Sequence, residues 1–272
     1  MTNLKKIKAI LFDIDGTLVD SMKKLSQTKI RQLNQLQQLG IKLGVCTGRS
    51  YAEIKRYILP HFSEQSLHIV EDGAELIFTS GQVHHQILLA DQQVRPIATK
   101  AEELGVDFAF SHGKVLYMSQ NFLSTMQAKD KWQKSLGEAH QIKDWSTPML
   151  GLFNLNQEMC TYLATMNRTE YDVIELKNPP YHSGFVRAAN QGASKAAAAE
   201  RWAKFHQLPF NQVLVIGDSH NDLGVIQKAG AGIAMGNAIE ELKQVADLVI
   251  GDVDQAGLEK FVQEFIELKQ NF

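Results

Sequence analysis

Hydrophobic positions along the chain follow two rhythms. Short apolar runs alternate with longer stretches in which apolar residues recur every three or four positions. Residues 7–12 (Ile-Lys-Ala-Ile-Leu-Phe) form the first run. A nearly unbroken run reads as a strand buried on both faces, not as an alternating surface strand. Residues 26–39 carry Ile30, Leu33 and Leu36 at helical spacing, and Gly40 supplies a C-terminal cap. Residues 41–46 predict a second buried strand and residues 50–58 a helix. Strand and helix in turn indicate a parallel sheet with crossover helices.

The middle of the chain changes character. Residues 75–78 and 83–88 flank Ser80-Gly81, and residues 107–111 and 114–119 flank His112-Gly113. Both pairs predict hairpins. Helices are expected near 94–104, 123–136 and 157–166, the first starting late or kinking at Pro96. Residues 172–176 and 185–188 predict further strands. Hairpins mixed with helices indicate an antiparallel α+β module. Alternation then returns: helix 194–205, strand 213–216, helix 223–229, strands 232–235 and 248–250, helix 258–268. The simplest organisation is an α/β, Rossmann-like core at 1–83 and 189–272, interrupted by an α+β insert at 84–188.

Composition narrows the function classes. The chain has 272 residues, 44% hydrophobic and 21% charged, an ordinary globular mixture. A formal charge of −2 does not suit a surface that collects nucleic acid. Cys46 and Cys160 are the two cysteines, too few for a disulfide framework, and no CxxC pair points to zinc. Cys46, inside an apolar strand, reads as a buried small residue. No apolar stretch reaches membrane-spanning length, and the first run is too short for a signal segment. The expectation is a cytoplasmic protein without membrane partners, monomeric or a small homo-oligomer.

The chemistry gathers at strand ends. Three buried-type strands stop at a polar residue followed by a turn: Asp13, Thr47 and Asp218. Ligands of an open parallel sheet sit beyond the carboxyl ends of its strands, so these residues are expected to converge. Asp13 and Asp15 are two apart, which places both side chains on one face if the chain stays extended. A carboxylate can attack phosphorus, and a second one can protonate the leaving oxygen and then activate water. Asp218 and Asp222 add oxygen ligands for a hard cation such as magnesium. Lys195 adds a positive charge, and Thr47 with the Gly48 turn adds a hydroxyl and N–H donors for phosphate oxygens. Taken singly, each piece has a plainer reading. DxD is often a turn, Thr-Gly-Arg a βα connection, and Asp218 with Asp222 a helix capping pattern. The combination is what points to phosphoryl transfer.

Asp13-Ile14-Asp15-Gly16-Thr17-Leu18 resembles the first motif of haloacid dehalogenase-like hydrolases. Thr47-Gly48-Arg49 resembles the second, Lys195 the third, and Gly217-Asp218-Ser219-His220-Asn221-Asp222 the fourth, in family order. Residues 229–238 are similar to a segment of the Cof-like (type IIB capped) phosphatases, whose large cap lies between the second and third motifs. The resemblance implies that Asp13 is the nucleophile, forming an aspartyl-phosphate, and Asp15 the general acid/base. It implies that Thr47, Gly48, Lys195 and Asn221 bind the phosphoryl group. Mg2+ would be held by Asp13, Asp218 and the main-chain carbonyl of Asp15, with Asp222 orienting that set. The expected partner is a small phosphate ester, such as a sugar phosphate or phosphorylated cofactor.

Two positions depart from the branch pattern. Asp72-Gly73 stands where Asn-Gly is usual, and Ala196 follows Lys195 where Gly is usual. The insert offers Lys114, His182, Ser183 and Arg187 as candidate substrate contacts, with Trp132, Trp145 and Phe153 as its own core. Three rival readings exist. A phosphomutase of the same superfamily would shuttle phosphate between hydroxyls, and a sensor would bind phosphometabolites without turnover. A phosphorylated receiver domain is far shorter and lacks both the insert and the DxD spacing.

Overall fold

The computed structural model describes residues 4–128, 136–166, 172–176 and 185–271. Along the chain come β1 (Ala9–Phe12), α1 (Gln27–Gln38), β2 (Lys42–Val45), α2 (Tyr51–Ile54), β3 (Leu67–Val70), β4 (Glu75–Phe78) and β5 (Val83–Gln86). Next are α3 (Asp91–Glu103), β6 (Asp107–His112), β7 (Val115–Met118), α4 (Gln120–Ala128), β8 (Leu136–Glu138), β9 (Met149–Phe153), α5 (Gln157–Thr165), β10 (Asp172–Leu176) and β11 (Phe185–Ala189). The last stretch holds α6 (Lys195–Phe205), β12 (Val213–Gly217), α7 (Leu223–Lys228), β13 (Ala231–Ala234), α8 (Glu240–Val245), β14 (Leu248–Val249) and α9 (Gly257–Gln270). The chain divides into two compact units. One comprises residues 1–49, 54–85 and 194–272, the other residues 50–53 and 86–193.

The first unit is built on a parallel sheet in the order β14-β13-β12-β1-β2. Every residue of β1, β12 and β13 is buried, so both faces of the sheet are covered, as an unbroken apolar run requires. Helix α1 packs on α9, and α6 on α7. The sheet registers align the strand ends. Phe12 pairs with Ile216 on one side and Val45 on the other, and Gly217 pairs with Ala234. Strands paired in this way end level, so the residues after β1, β2 and β12 emerge together at one edge.

Strand β3 extends this edge, because Cys46 bridges to Ile69 and the Thr47 N–H donates to the Ile69 carbonyl at 2.9 Å. Its His68 breaks an otherwise apolar run, yet it is fully buried. The imidazole accepts from the Val45 N–H through Nδ1 at 3.2 Å and meets the Thr79 hydroxyl through Nε2 at 2.8 Å. A ring held this way is neutral, and burial pushes its pKa down to about 3.

The second unit holds a six-stranded sheet, β10-β11-β9-β6-β7-β8, antiparallel except where β7 meets β8. Its core joins Val94, Ile97, Ala98 and Ala101 of α3 to Phe108 and Phe110 of β6, with Trp145 buried among them. The Phe153 ring lies 4.6 Å from that of Phe122, tilted by 35°, and Trp132 lies outside the described residues.

Several expected elements differ. Helix 50–58 shrinks to the single turn α2. Helix α3 starts at Asp91 and runs through Pro96 instead of beginning beyond it. The ring removes one backbone donor, but the apolar stripe packs on both sides of it. The Asp91–Arg95 ion pair and the Gln93 side chain, which accepts from the Ala90 N–H at 2.8 Å, secure the first turn. Among the described residues helix α4 covers Gln120–Ala128, and Leu136, expected at the end of the helix, opens β8.

His68 makes stability pH-dependent. The unfolded ring binds a proton below about pH 6.5, while the folded ring does so only near pH 3. Its contribution is therefore complete above pH 7 and declines as pH falls through that window, by about 1.4 kcal/mol per pH unit. Urea unfolding of wild type and His68→Asn at pH 7, 6 and 5 is expected to show a shallower decline in the variant. Parallel declines would contradict the neutral buried ring.

Candidate active site

Asp13 follows β1 directly, and its N–H donates to the Ile216 carbonyl at 2.9 Å, continuing the ladder with β12. Its side chain is buried. Asp218 follows Gly217 at the end of β12, and Asp222 closes the short turn behind it. One carboxylate oxygen from each of Asp13, Asp218 and Asp222 lies within 4.8 Å of the others. Lys195 opens α6 behind the Ser194 cap and reaches into this group. Its Nζ donates to Asp13 Oδ1 at 2.6 Å and to Asp222 Oδ1 at 2.7 Å, with 1% of the lysine side chain exposed. Buried Asp13, Lys195 and Asp222 and half-buried Asp218, from three separate segments of the chain, thus form one cluster.

Asp222 is already committed. Its Oδ1 takes Lys195, and its Oδ2 accepts from the N–H groups of Asp218 and Ser219, both at 3.1 Å. It therefore shapes the turn that carries Asp218. Asp218 Oδ1 accepts from the Thr17 hydroxyl at 3.3 Å. Gly16 has φ +77°, and a Cβ there would come within 2.4 Å of Asp218 Oδ2, so only glycine lets this loop lie against the carboxylate. Asn237 secures the loop from outside, donating to the Gly16 carbonyl at 2.8 Å.

Charge in the cluster is unbalanced. Three carboxylates surround one ammonium. Burial, set against the pull of Lys195 and reinforced by Asp222 and Asp218, raises the proton affinity of Asp13 well above the usual carboxylate range. Burial and Asp222 push Asp218 up to about 7. Burial acts in the opposite sense on Lys195, but Asp13 and Asp222 prevail and keep it firmly protonated. An all-oxygen donor set with surplus negative charge fits a hard divalent cation.

Asp15 is not part of that cluster. Its carboxylate is gripped by a bidentate fork from Arg49, Nε to Oδ2 and Nη2 to Oδ1, both at 2.7 Å. Lys23 Nζ adds a third contact at 2.6 Å. Burial opposes ionisation here, but Arg49 and Lys23 outweigh it and hold the carboxyl below its ordinary value. Sequence reasoning passed over both cations. Arg49 stood within Thr-Gly-Arg and was readable as a polar turn residue. Lys23 carries no motif, and its left-handed backbone (φ 60°) is a feature of the folded loop.

Thr47 and Gly48 are buried at the end of β2. Thr47 Oγ1 accepts from the Arg49 N–H at 3.2 Å, and its carbonyl accepts from the Asp72 N–H at 3.0 Å. Asn221 lies in the turn between Asp218 and Asp222 and donates to Asp72 Oδ1 at 2.7 Å. Cys46 is buried, and burial pushes its thiol up, as suits a packing residue.

Lys114 and Arg187 belong to the second unit. Lys114 stands in the β6–β7 turn with its ammonium 5.8 Å from the centre of the Tyr51 ring. Arg187 is half-buried on β11 opposite Gly151. His182 and Ser183 lie outside the described residues.

Known proteins resemble this chain in sequence or in fold. Phosphatase YwpJ of Bacillus subtilis is 24% identical over 96% of this chain and 100% of its own length. The 5-amino-6-(5-phospho-D-ribitylamino)uracil phosphatase YitU of the same organism is 21% identical over 95% and 97%. TM0651 from Thermotoga maritima has the same fold, with a TM-score of 0.80 at 19% identity over 95% of this chain and 97% of that one. The sequence pattern of the haloacid dehalogenase-like hydrolases matches residues 10–262. No helix among the described residues is long and apolar enough to cross a membrane. With that match spanning nearly the whole chain, this protein belongs to the haloacid dehalogenase-like hydrolase family.

Proposed function

We infer that this enzyme is a magnesium-dependent phosphatase that hydrolyses monoesters of small phosphorylated metabolites through a phosphorylated Asp13. The observation that carries the reading is the cluster itself: Lys195 Nζ bridging Asp13 and Asp222, with oxygens of Asp13, Asp218 and Asp222 within 4.8 Å. Such a centre supplies a nucleophile, a fixed cation and a cation site, which are the needs of phosphoryl transfer. The phosphatase names of the relatives agree. YitU, with its phosphoribityl substrate, supports a polyol or sugar phosphate.

In the first step Asp13 attacks phosphorus, an acyl phosphate forms, and the ester P–O bond breaks. Asp15 gives a proton to the departing alkoxide. In the second step water attacks phosphorus and yields its proton to Asp15, releasing inorganic phosphate and restoring the Asp13 carboxylate. Thr47, the Gly48 N–H, Lys195 and Asn221 hold the phosphoryl oxygens. Magnesium bound by Asp13, Asp218 and the Asp15 carbonyl, oriented by Asp222, would offset the negative charge that these carboxylates present to an anionic ester.

Asp15 cannot serve as an acid while Arg49 and Lys23 hold it ionised, because a donor must first carry a proton. Turnover therefore requires the carboxyl to leave the Arg49 fork. The grip places Asp15 in a defined resting position and makes its release part of the cycle.

Three outcomes test this. Asp13→Asn is expected to abolish phosphate release from sugar phosphates while leaving the circular dichroism spectrum unchanged; turnover near wild type would overturn the nucleophile. Asp15→Asn is expected to slow the first step on an alkyl phosphate by about a hundredfold to ten-thousandfold. The loss should be far smaller on p-nitrophenyl phosphate, whose leaving group needs no proton, and equal losses in single-turnover kinetics would remove Asp15 as the acid. Chelation with EDTA is expected to end phosphate release and added magnesium to restore it. Activity that survives exhaustive chelation would eliminate the metal.

A further inference from the structure

The turn after β3 is unusual in its backbone. Glu71 and Asp72 both take left-handed conformations, φ 51° and 53°, and Gly73 follows at φ 96°. Two successive non-glycine residues in this region are costly and persist only where the surroundings hold them. All three residues are buried. The turn is tied at several points. The Glu71 N–H donates to the Arg49 carbonyl and the Asp72 N–H to the Thr47 carbonyl, each at 3.0 Å. Gly73 lies so close to the start of α6 that a Cβ would meet the Ser194 carbonyl at 2.2 Å and the Lys195 nitrogen at 2.9 Å. One turn thus touches the loop of Thr47, the root of Lys195 and, through the Asp72 side chain, Asn221.

The Asp72–Asn221 contact has a direction. Asn221 Oδ1 accepts from the Ser219 hydroxyl at 2.6 Å, and its Nδ2 donates to Asp72 Oδ1 at 2.7 Å. An ionised aspartate only accepts, so it forces the NH2 end of the amide towards itself. Flipping the amide would set its oxygen against the carboxylate and its NH2 against the Ser219 hydroxyl. The Ser219 hydroxyl can donate or accept, so it is the Asp72 carboxylate that fixes the orientation, and the second N–H of Nδ2 makes no hydrogen bond among the described residues. Asp72 is 6% exposed and Asn221 half-buried, so the contact is partly withdrawn from water.

We propose that Asp72 is a positioning residue of the phosphate site: its carboxylate fixes the Asn221 amide so that the remaining N–H is presented to a phosphoryl oxygen. The role rests on the phosphatase reading, in which Asn221 binds phosphate. It gives a role to an acidic residue that is buried, in a left-handed backbone, beside the proposed site for an anion. It also assigns a cost, since Asp72 adds negative charge near Lys195.

The test is a double-mutant cycle read with inorganic phosphate as competitive inhibitor of p-nitrophenyl phosphate hydrolysis in the presence of magnesium. Asn221→Ala and Asp72→Ala are each expected to raise the inhibition constant about tenfold, the size of one lost charge-assisted hydrogen bond. The double variant is expected to be no worse than Asn221→Ala alone, and Asp72→Asn, which keeps an acceptor and suits the left-handed backbone, is expected to recover most of the loss. If Asp72→Ala does not fold, as judged by its melting temperature, Asp72→Gly takes its place in the cycle. Losses that multiply in the double variant would show that Asp72 acts independently of Asn221 and overturn the proposal. So would a folded Asp72→Asn that binds phosphate no better than the truncation. An Asn221→Ala enzyme with unchanged inhibition would overturn the phosphate role of Asn221 and the proposal with it. A loss confined to Asn221→Ala would overturn the role of Asp72 alone.

Discussion

A buried ammonium between two buried carboxylates is the constraint on which the rest of the centre depends. Lys195 gives up nearly all contact with water to sit 2.6 Å from Asp13 and 2.7 Å from Asp222. Breaking such a pair by removing one member typically costs about 3–5 kcal/mol, because the other charge is left buried and alone. The three residues therefore hold one another in place. They come from the end of β1, the start of α6 and the turn after β12, so the contact also clamps three separate segments at the carboxyl edge of the sheet. The clamp still leaves more carboxylates than cations, so the cluster has the donor set a metal ion needs as well as being a knot in the fold.

Around the clamp, the loops are defined by backbone contacts that tolerate little change. Gly16 lies against Asp218 because it has no side chain, and Asn237 holds it there from the far side. The Glu71–Gly73 turn bonds to the Thr47 and Arg49 carbonyls while Gly73 rests on the first residues of α6. Asp15 is held differently, by side-chain ion pairs at a partly exposed position. Contacts of that kind are weaker and more easily exchanged than the buried clamp. Asp13 is thus held by buried contacts, while Asp15 is placed where its partners are more easily exchanged.

Much of this order was legible along the chain. Buried strands without a solvent face leave unbroken apolar runs, and the polar residue that ends each run marks the sheet edge. That reasoning located Asp13, Thr47 and Asp218 without any coordinates. It failed where a polar residue had been neutralised by its surroundings. His68 interrupts the run of β3, so the strand was not identified from the pattern, yet burial between Val45 and Thr79 makes the ring an uncharged packing residue. Pro96 argued against the start of α3, but tertiary packing of Val94, Ile97 and Ala101 outweighed one missing hydrogen bond.

By itself, then, the sequence determined which strands are buried, where each ends and which side chains stand at those ends, because periodicity and turn chemistry are local properties. The tertiary structure alone decided which side chains meet. Arg49 and Lys23 close on Asp15 from positions 34 and 8 residues away, and Asn221 reaches Asp72 across 149 positions. Pairings at such separations depend on sheet order, register and loop conformation together, and no local pattern encodes them. The same holds for the charge state of the cluster, since burial and mutual proximity exist only once the chain has folded.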